Sequence, residues 1–362
     1  MRTFSSRRDF LHASVAAAAT VPILPGHQSV QGNLQPQDHR TAFCLISDTH
    51  YLANSDSPGS LDERSQQLCG RLIDTLNHLP GQTIPDEAGG GSVQDLAGII
   101  HAGDVIDSGD KQGKLYEQMQ RTEWDAYVAD FGLTGREGKL RFPVYEVHGN
   151  HDSPHGSGLA IDGMIERNRR RTHTGLSGNN LHCSWNWGHI HFINLGLVVG
   201  HDKSVAQRRR YNPMDSLDFL IADLQQHASD PNRPVIITHH VDVLRYSRQC
   251  EPADEKNLSL EWHPCDVQAY YRAIRPYNVL AVLYGHTHVR NIQLWDGSTA
   301  KPERGVTLLN VDNASHFSGS NQAFFYIEIN TERMLVRECA TQDGWRSHYW
   351  TPMTWTRPLI IA

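Results

Sequence analysis

The stretch Phe142-Pro143-Val144-Tyr145-Glu146-Val147-His148-Gly149-Asn150-His151-Asp152 decides how the rest of the chain is read. A β-type apolar run stops on a glycine that turns the backbone, then offers an amide, an imidazole and a carboxylate in succession. Alone it would be a turn. Four other apolar runs stop the same way: residues 43–47 before Asp48-Thr49-His50, and 96–102 before Gly103-Asp104-Val105-Ile106-Asp107. Residues 235–238 lead to His239-His240, and 279–284 to Gly285-His286-Thr287-His288. Five strand ends bearing oxygen and imidazole donors predict one metal centre at one sheet edge, where ligands of open α/β sheets gather.

Between these runs the spacing is helical. Leu61, Leu68, Leu72, Ile73, Leu76 and Leu79 predict a helix over 60–79, and Trp124, Tyr127, Val128 and Phe131 mark one side of another over 116–131. Residues 80–95, with Gly89-Gly90-Gly91, read as an inserted loop. Further helices are predicted over 163–171, 214–228 and 267–274, with two strands within 181–199 meeting at Asn186-Trp187-Gly188. Antiparallel strands are expected over 305–311, 323–330 and 334–340. Strands alternating with helices, then hairpin strands, indicate a mixed α/β sandwich rather than a purely parallel sheet.

The chain has 362 residues, 39% hydrophobic and 20% charged, ordinary for a globular protein. Its net charge of −7 provides no basic field to recruit nucleic acid, and none is expected as a partner. Ser6-Arg7-Arg8-Asp9-Phe10-Leu11 precedes a short alanine-rich apolar stretch, 13–24, too short for a bilayer span of about 20 residues. Paired arginines, an apolar stretch and small residues resemble a bacterial twin-arginine export signal. That resemblance implies the export machinery as a partner, a periplasmic or extracellular location, and no stable membrane anchor after cleavage. Residues 1–40 are therefore read as signal and linker, and 41–362 as one domain. No two of the six cysteines have C-x-x-C spacing. Cys44 reads as a buried free thiol, whereas Cys250 and Cys265 flank a polar loop and could pair in an oxidising compartment.

Residues i and i+2 of an extended segment project to one side. Asp48 with His50, and His286 with His288, can thus each aim two donors at one ion. Asp104 can bridge two cations, Asn150 offers a carbonyl oxygen and His239 an imidazole. Mixed nitrogen and oxygen donors suit Mn, Fe, Zn or Co. With its motif order D-x-H, G-D-x-x-D, G-N-H-D, H and G-H-x-H, the chain resembles the calcineurin-like metallophosphoesterase superfamily over residues 41–330. The resemblance implies a four-layer αββα sandwich with two central mixed sheets and two transition-metal ions per chain. It implies that Asp48, His50, Asp104 and His288 hold the first ion, and that Asp104, Asn150, His239 and His286 hold the second.

The activity implied is hydrolysis of a small phosphate monoester or diester by a metal-bridging hydroxide. His151 would protonate the leaving group, oriented by Asp107. A non-catalytic metal-binding scaffold and a nuclease of the same superfamily are the alternatives. Asp107 stands where purple acid phosphatases have a ligand tyrosine, and Ser108 and Asp152 where protein phosphatases have arginines, so neither subtype is expected. His189 and His191 are assigned to packing or to supporting hydrogen bonds, and His101 and His148 are expected to point away from the metals. His240 is set aside in favour of His239. Asp152 and His155 are candidates for the substrate mouth. The charged run 166–171 reads as a solvated face that could meet an anionic substrate.

Overall fold

The computed structural model describes residues 40–201, 209–246, 261–298 and 302–359, which belong to one unit of the chain. The paired arginines, the apolar stretch after them, nearly all of the linker and Cys250 lie outside the described residues. Cys265 is disulfide-bonded, while Cys44, Cys69, Cys183 and Cys339 are free and buried. Among the described residues no helix is long and apolar enough to cross a membrane.

The chain opens with β1 (Thr41–Ile46), the small hairpin β2 (Ala53–Asn54) and β3 (Ser57–Leu61), and α1 (Glu63–Asn77). Then come β4 (Gly98–His101), α2 (Lys114–Asp130), β5 (Val144–Glu146), α3 (Leu159–Arg170), β6 (Gly175–Leu176), β7 (Cys183–Trp187) and β8 (Ile190–Asn194). The second half contains α4 (Ser216–His227), β9 (Val235–Thr238), the short α5 (Val243–Tyr246), α6 (Pro264–Ile274) and β10 (Val279–Tyr284). It closes with β11 (Asn291–Trp295), β12 (Val306–Asn310), β13 (Gln322–Ile329), β14 (Arg333–Thr341) and β15 (Tyr349–Pro358). The six-stranded sheet runs β15-β14-β13-β1-β4-β5 and the seven-stranded one β11-β12-β10-β9-β8-β7-β6. Both are mixed: β1, β4 and β5 are mutually parallel, as are β8, β9, β10 and β12, with antiparallel strands outside them.

Side-chain alternation builds the layers. Ala42, Cys44 and Ile46 of β1 pack with Leu72 and Leu76 of α1 and with Trp124 and Tyr127 of α2. Phe43 and Leu45 point the other way, onto Phe192, Ile236, Leu283 and Leu309 of the second sheet. On that sheet's far face Ile193, Val235, Ile237 and Val282 meet Leu220, Leu224, Val267 and Tyr270 of α4 and α6. Helices, sheet, sheet, helices: this is the four-layer αββα sandwich.

Local chemistry explains several boundaries. Helix α1 starts at Glu63 because Asp62 caps it, its Oδ1 accepting from the N–H groups of Arg64 and Ser65 at 3.0 Å. Leu61 is therefore the last residue of β3 rather than part of the helix. Val128 of α2 is exposed rather than aligned with buried Trp124, Tyr127 and Phe131. Arg167 and Arg171, from the run expected to be solvated, are buried against Glu146 at the end of β5. Arg167 Nε donates to Glu146 Oε1 at 2.8 Å and its Nη2 donates to the carbonyls of Phe131 and Gly132. This ion cluster ties α2 and α3 to the strand that leads into Gly149.

Candidate metal centre

All five motif turns meet at the edge where β1, β4 and β5 of one sheet face β9 and β10 of the other. Asp48, His50, Asp104, His286 and His288 each have positive φ, between 45° and 69°. Such backbone is uncommon outside glycine and costs on the order of 1–3 kcal/mol per residue. Cross-loop hydrogen bonds hold it: Asp48 N to Gly103 O at 2.9 Å, His50 N to Asp104 O at 3.1 Å, and His286 N to Asp48 Oδ2 at 3.0 Å. Gly285 lies against Ser47 and Asp48 where no side chain would fit.

Two donor clusters result. In the first, His288 Nε2 lies 3.2 Å from Asp48 Oδ1, and His50 Nε2 lies 3.9 Å from the same oxygen and 3.6 Å from Asp104 Oδ2. In the second, Asp104, His240 and His286 converge, with His240 Nε2 3.2 Å from Asp104 Oδ2. Asp104 Oδ2 joins them, facing His50 of the first cluster and His240 of the second.

The second imidazole of the His239-His240 pair is thus the one at the centre, which corrects the choice of His239. Alternation decides it. Val235 and Ile237 face the helix layer and Ile236 faces the other sheet. The same parity sends His239 onto Trp262, Tyr270 and Tyr284, its ring 5.8 Å from Tyr284 and nearly parallel to it. His240 turns between the sheets, where its Nδ1 meets Ala102 O at 2.7 Å and Nε2 is left for Asp104.

A family model described as calcineurin-like phosphoesterase matches residues 41–290. The chain belongs to this family. Among solved structures, a dimetal phosphatase from Danio rerio is 14% identical, with TM-score 0.54, covering 88% of this chain and 99% of its own. This likeness shows a shared fold that extends beyond the matched segment. A structure of PhoD is 9% identical, with TM-score 0.46, covering 86% of this chain and 71% of its own. No curated protein matches the chain.

Around the donor set lies a ring of supporting partners. Asp107 has three tasks: Oδ1 holds His50 Nδ1 at 3.1 Å, Oδ2 meets Lys111 Nζ at 2.8 Å, and its carbonyl accepts from His151 Nδ1 at 3.1 Å. The carboxylate expected to orient His151 thus serves His50, and His151 is held mainly by the backbone carbonyl, with Oδ1 at 3.8 Å. The His151 N–H donates to Asp104 Oδ1 at 2.8 Å. Asp152 does not line a substrate mouth: it is buried and accepts from the N–H groups of Val105, Ile106 and Gly149, locking two motif turns together.

His101 points away, as expected. Its Nδ1 accepts from Gly103 N and its Nε2 meets Thr49 Oγ1 at 2.9 Å. His191 pairs with Asp223 and Asn186, a hydrogen-bonding role inside the fold. Two neighbours of the centre carry no motif signal in the sequence. Glu261 Oε2 lies 2.7 Å from His286 Nε2, and the His316 ring lies 4.5 Å from that of His50.

The electrostatics favour a cation. Burial alone would suppress charge on His50 and His240, yet Asp107 and Asp48 push His50 up to about 10, and Asp104 pushes His240 up to about 9. Against the same opposing burial, Asp48 and Asp104 are held well below the usual carboxylate range, chiefly by His288 and His240 respectively. Burial draws His239 down to about 3, as suits an imidazole in an aromatic cage. Burial and nearby Asp104 push Asp152 up to about 7. Among the described residues the buried atoms His50 Nε2, His240 Nε2 and Asn150 Oδ1 make no hydrogen bond, although His240 Nε2 faces Asp104 Oδ2 at 3.2 Å. Polar atoms left unsatisfied beside two carboxylates are what metal ions would satisfy, and binding would release the imidazole protons and free their lone pairs. The residues fit two cations of the Mn, Fe, Zn or Co type.

Proposed function

We propose that the chain is a metal-dependent phosphoesterase acting on small phosphate esters. Asp48, His50, Asp104 and His288 would hold one cation, and Asp104, Asn150, His240 and His286 the other. The sharing of Asp104 between two donor clusters carries this reading. Two cations at such a site neutralise phosphoryl oxygens and acidify a water for in-line attack.

The chain's own groups do the rest. Asp107 Oδ1 fixes the His50 tautomer, so that Nε2 faces the cation site. A carbonyl only accepts, so His151 Nδ1 carries hydrogen toward Asp107 O and its Nε2 is free for the substrate. From that atom the protonated ring hands a proton to the leaving oxygen. Asp107 Oδ1 at 3.8 Å and Asp110 Oδ1 at 4.0 Å face the same ring.

The test supplies Mn, Fe, Zn or Co separately and follows p-nitrophenyl phosphate beside bis-p-nitrophenyl phosphate. Metal-dependent turnover abolished by Asp104→Ala supports the reading, and the ratio of the two rates assigns monoester or diester preference. Two bound ions with turnover that survives Asp104→Ala would defeat it. His151→Ala should slow an alkyl phosphate more than the p-nitrophenyl ester, whose leaving group needs no proton. Export through a twin-arginine route is part of the proposal and is supported by Arg7-Arg8 and the apolar stretch behind them. Lysines at both positions should leave a folded reporter fused to residues 1–40 inside the cell; unchanged export would refute the route.

A further inference from the structure

The motifs end at His288, but the loop between β12 and β13 returns a residue to the centre. His316 lies with its ring centroid 4.5 Å from His50 and 4.8 Å from His288. The loop is pinned to the turn that carries Asp48: Ala314 N donates to Ser47 O at 2.8 Å and Ser315 Oγ to Thr49 O at 3.2 Å. Trp345 Nε1 fastens Ala314 O from the other side at 2.6 Å. His316 itself donates its N–H to Asn313 Oδ1 at 3.1 Å, and its ring stacks on Phe317 at 4.5 Å. This imidazole is placed before any ligand arrives.

Its hydrogen bonds fix its chemistry. The Ser318 backbone N–H donates to His316 Nδ1 at 3.1 Å, and Ser318 Oγ lies 2.6 Å from the same atom. A backbone N–H only donates, so Nδ1 presents its lone pair and the neutral ring carries its hydrogen on Nε2. Without a lone pair at Nε2, and with Nδ1 occupied, His316 is a poor metal ligand. The grouping of His50, Asp107 and His316 is accordingly no third cation site, since His50 Nδ1 is also committed to Asp107. What His316 offers is a fixed, uncharged N–H donor beside His50, whose ring also contacts His151 at 4.7 Å.

We propose that His316 is a substrate-binding residue of the centre, donating Nε2–H to a non-bridging oxygen of the phosphoryl group. The inference rests on the phosphoesterase reading above. His151 and His316, both packed against His50, then divide the work: one serves the leaving oxygen and the other an oxygen that stays on phosphorus. A donor held in place beside the centre acts electrostatically on a charged oxygen and needs no reorganisation during the reaction.

The experiment measures inhibition by inorganic phosphate, KM and kcat for p-nitrophenyl phosphate, and bound metal, in wild type, His316→Ala and His316→Gln. A hydrogen bond to a charged group corresponds to about a 10–100-fold change in binding. His316→Ala should keep two metal equivalents while phosphate inhibition and KM weaken by about that factor. His316→Gln, which keeps an N–H donor, should recover most of the loss. Loss of a metal equivalent in His316→Ala would make it a ligand and overturn the proposal, and so would unchanged phosphate binding. If wild type binds no metal and cleaves no ester, the phosphoesterase reading itself falls. Ring ¹⁵N shifts in unmodified protein, read without any variant, should report hydrogen on His316 Nε2 and a change there on adding phosphate. Hydrogen on Nδ1 would also overturn the assignment.

Discussion

Gly149→Ala is the smallest change that should disable the centre without unfolding the protein. A Cβ at this position would lie 2.8 Å from Asp104 Cγ, and closer still to Asp104 Oδ1 and N. Carbon atoms in contact sit about 3.5–4.0 Å apart, so the Asp104 loop or the Gly149 turn must retreat by about 1 Å. Asp104 is the carboxylate common to both donor clusters, and its Oδ1 also accepts from His151 N. One added methyl therefore displaces the shared ligand and the candidate acid together. A misplacement of about 1 Å typically costs on the order of 10²-fold in rate. The assay is kcat/KM for p-nitrophenyl phosphate at saturating metal, with metal content and thermal midpoint measured alongside. The control is Gly70→Ala in α1, where nothing lies within 4 Å and the helix should be neutral or slightly stabilised. A Gly149→Ala enzyme with wild-type turnover and two bound ions would refute the reasoning, because Asp104 could then not be where it is placed.

Other expectations follow from single contacts. The Glu146 carboxylate is held down at about 2 because Arg167 and Arg171 outweigh its burial, against an ordinary value of 4.5. A lowered pKa means stabilisation that is present above about pH 4.5 and is lost as pH falls toward 2, on the order of 3 kcal/mol. The stability gap between wild type and Glu146→Gln, read by denaturant titration, should therefore close over that window; a constant gap would contradict it. His240→Ala should remove one metal equivalent and nearly all turnover. His239→Ala should keep both ions and lose about 2 kcal/mol of stability from its aromatic cage. The reverse pattern would restore His239 as the ligand. Glu261→Gln should weaken metal binding at the His286 position by about 10–100-fold, as loss of a carboxylate behind a ligand histidine does. Calorimetric titration that finds both ions bound as in wild type would exclude that role.

Strand ends were the legible part of this chain. Apolar runs of four to seven residues stopping on Asp, His or Asn carry both the strand positions and the ligand chemistry, because parallel strands deliver their last residues to one edge. The pair His239-His240 carries its signal in strand parity. Counting parity from Val235 through Ile237 puts His239 with the helix-facing residues. Strand β15 was hidden by Pro352 and Pro358, residues that argue against a strand except at an edge, which is where β15 lies. The burial of Arg167 and Arg171 could not be seen because their partner, Glu146, is more than twenty residues away. Glu261 and His316 are lone residues on loops. Nothing local marks them, and only the folded sandwich brings them to the centre.

Anomalous diffraction from crystals grown with Mn or Zn tests the central claim most directly. The account predicts two peaks about 3.5–4 Å apart, both touching Asp104, one beside Asp48, His50 and His288 and the other beside Asn150, His240 and His286. A single peak, or a second ion at His239 instead of His240, would contradict it.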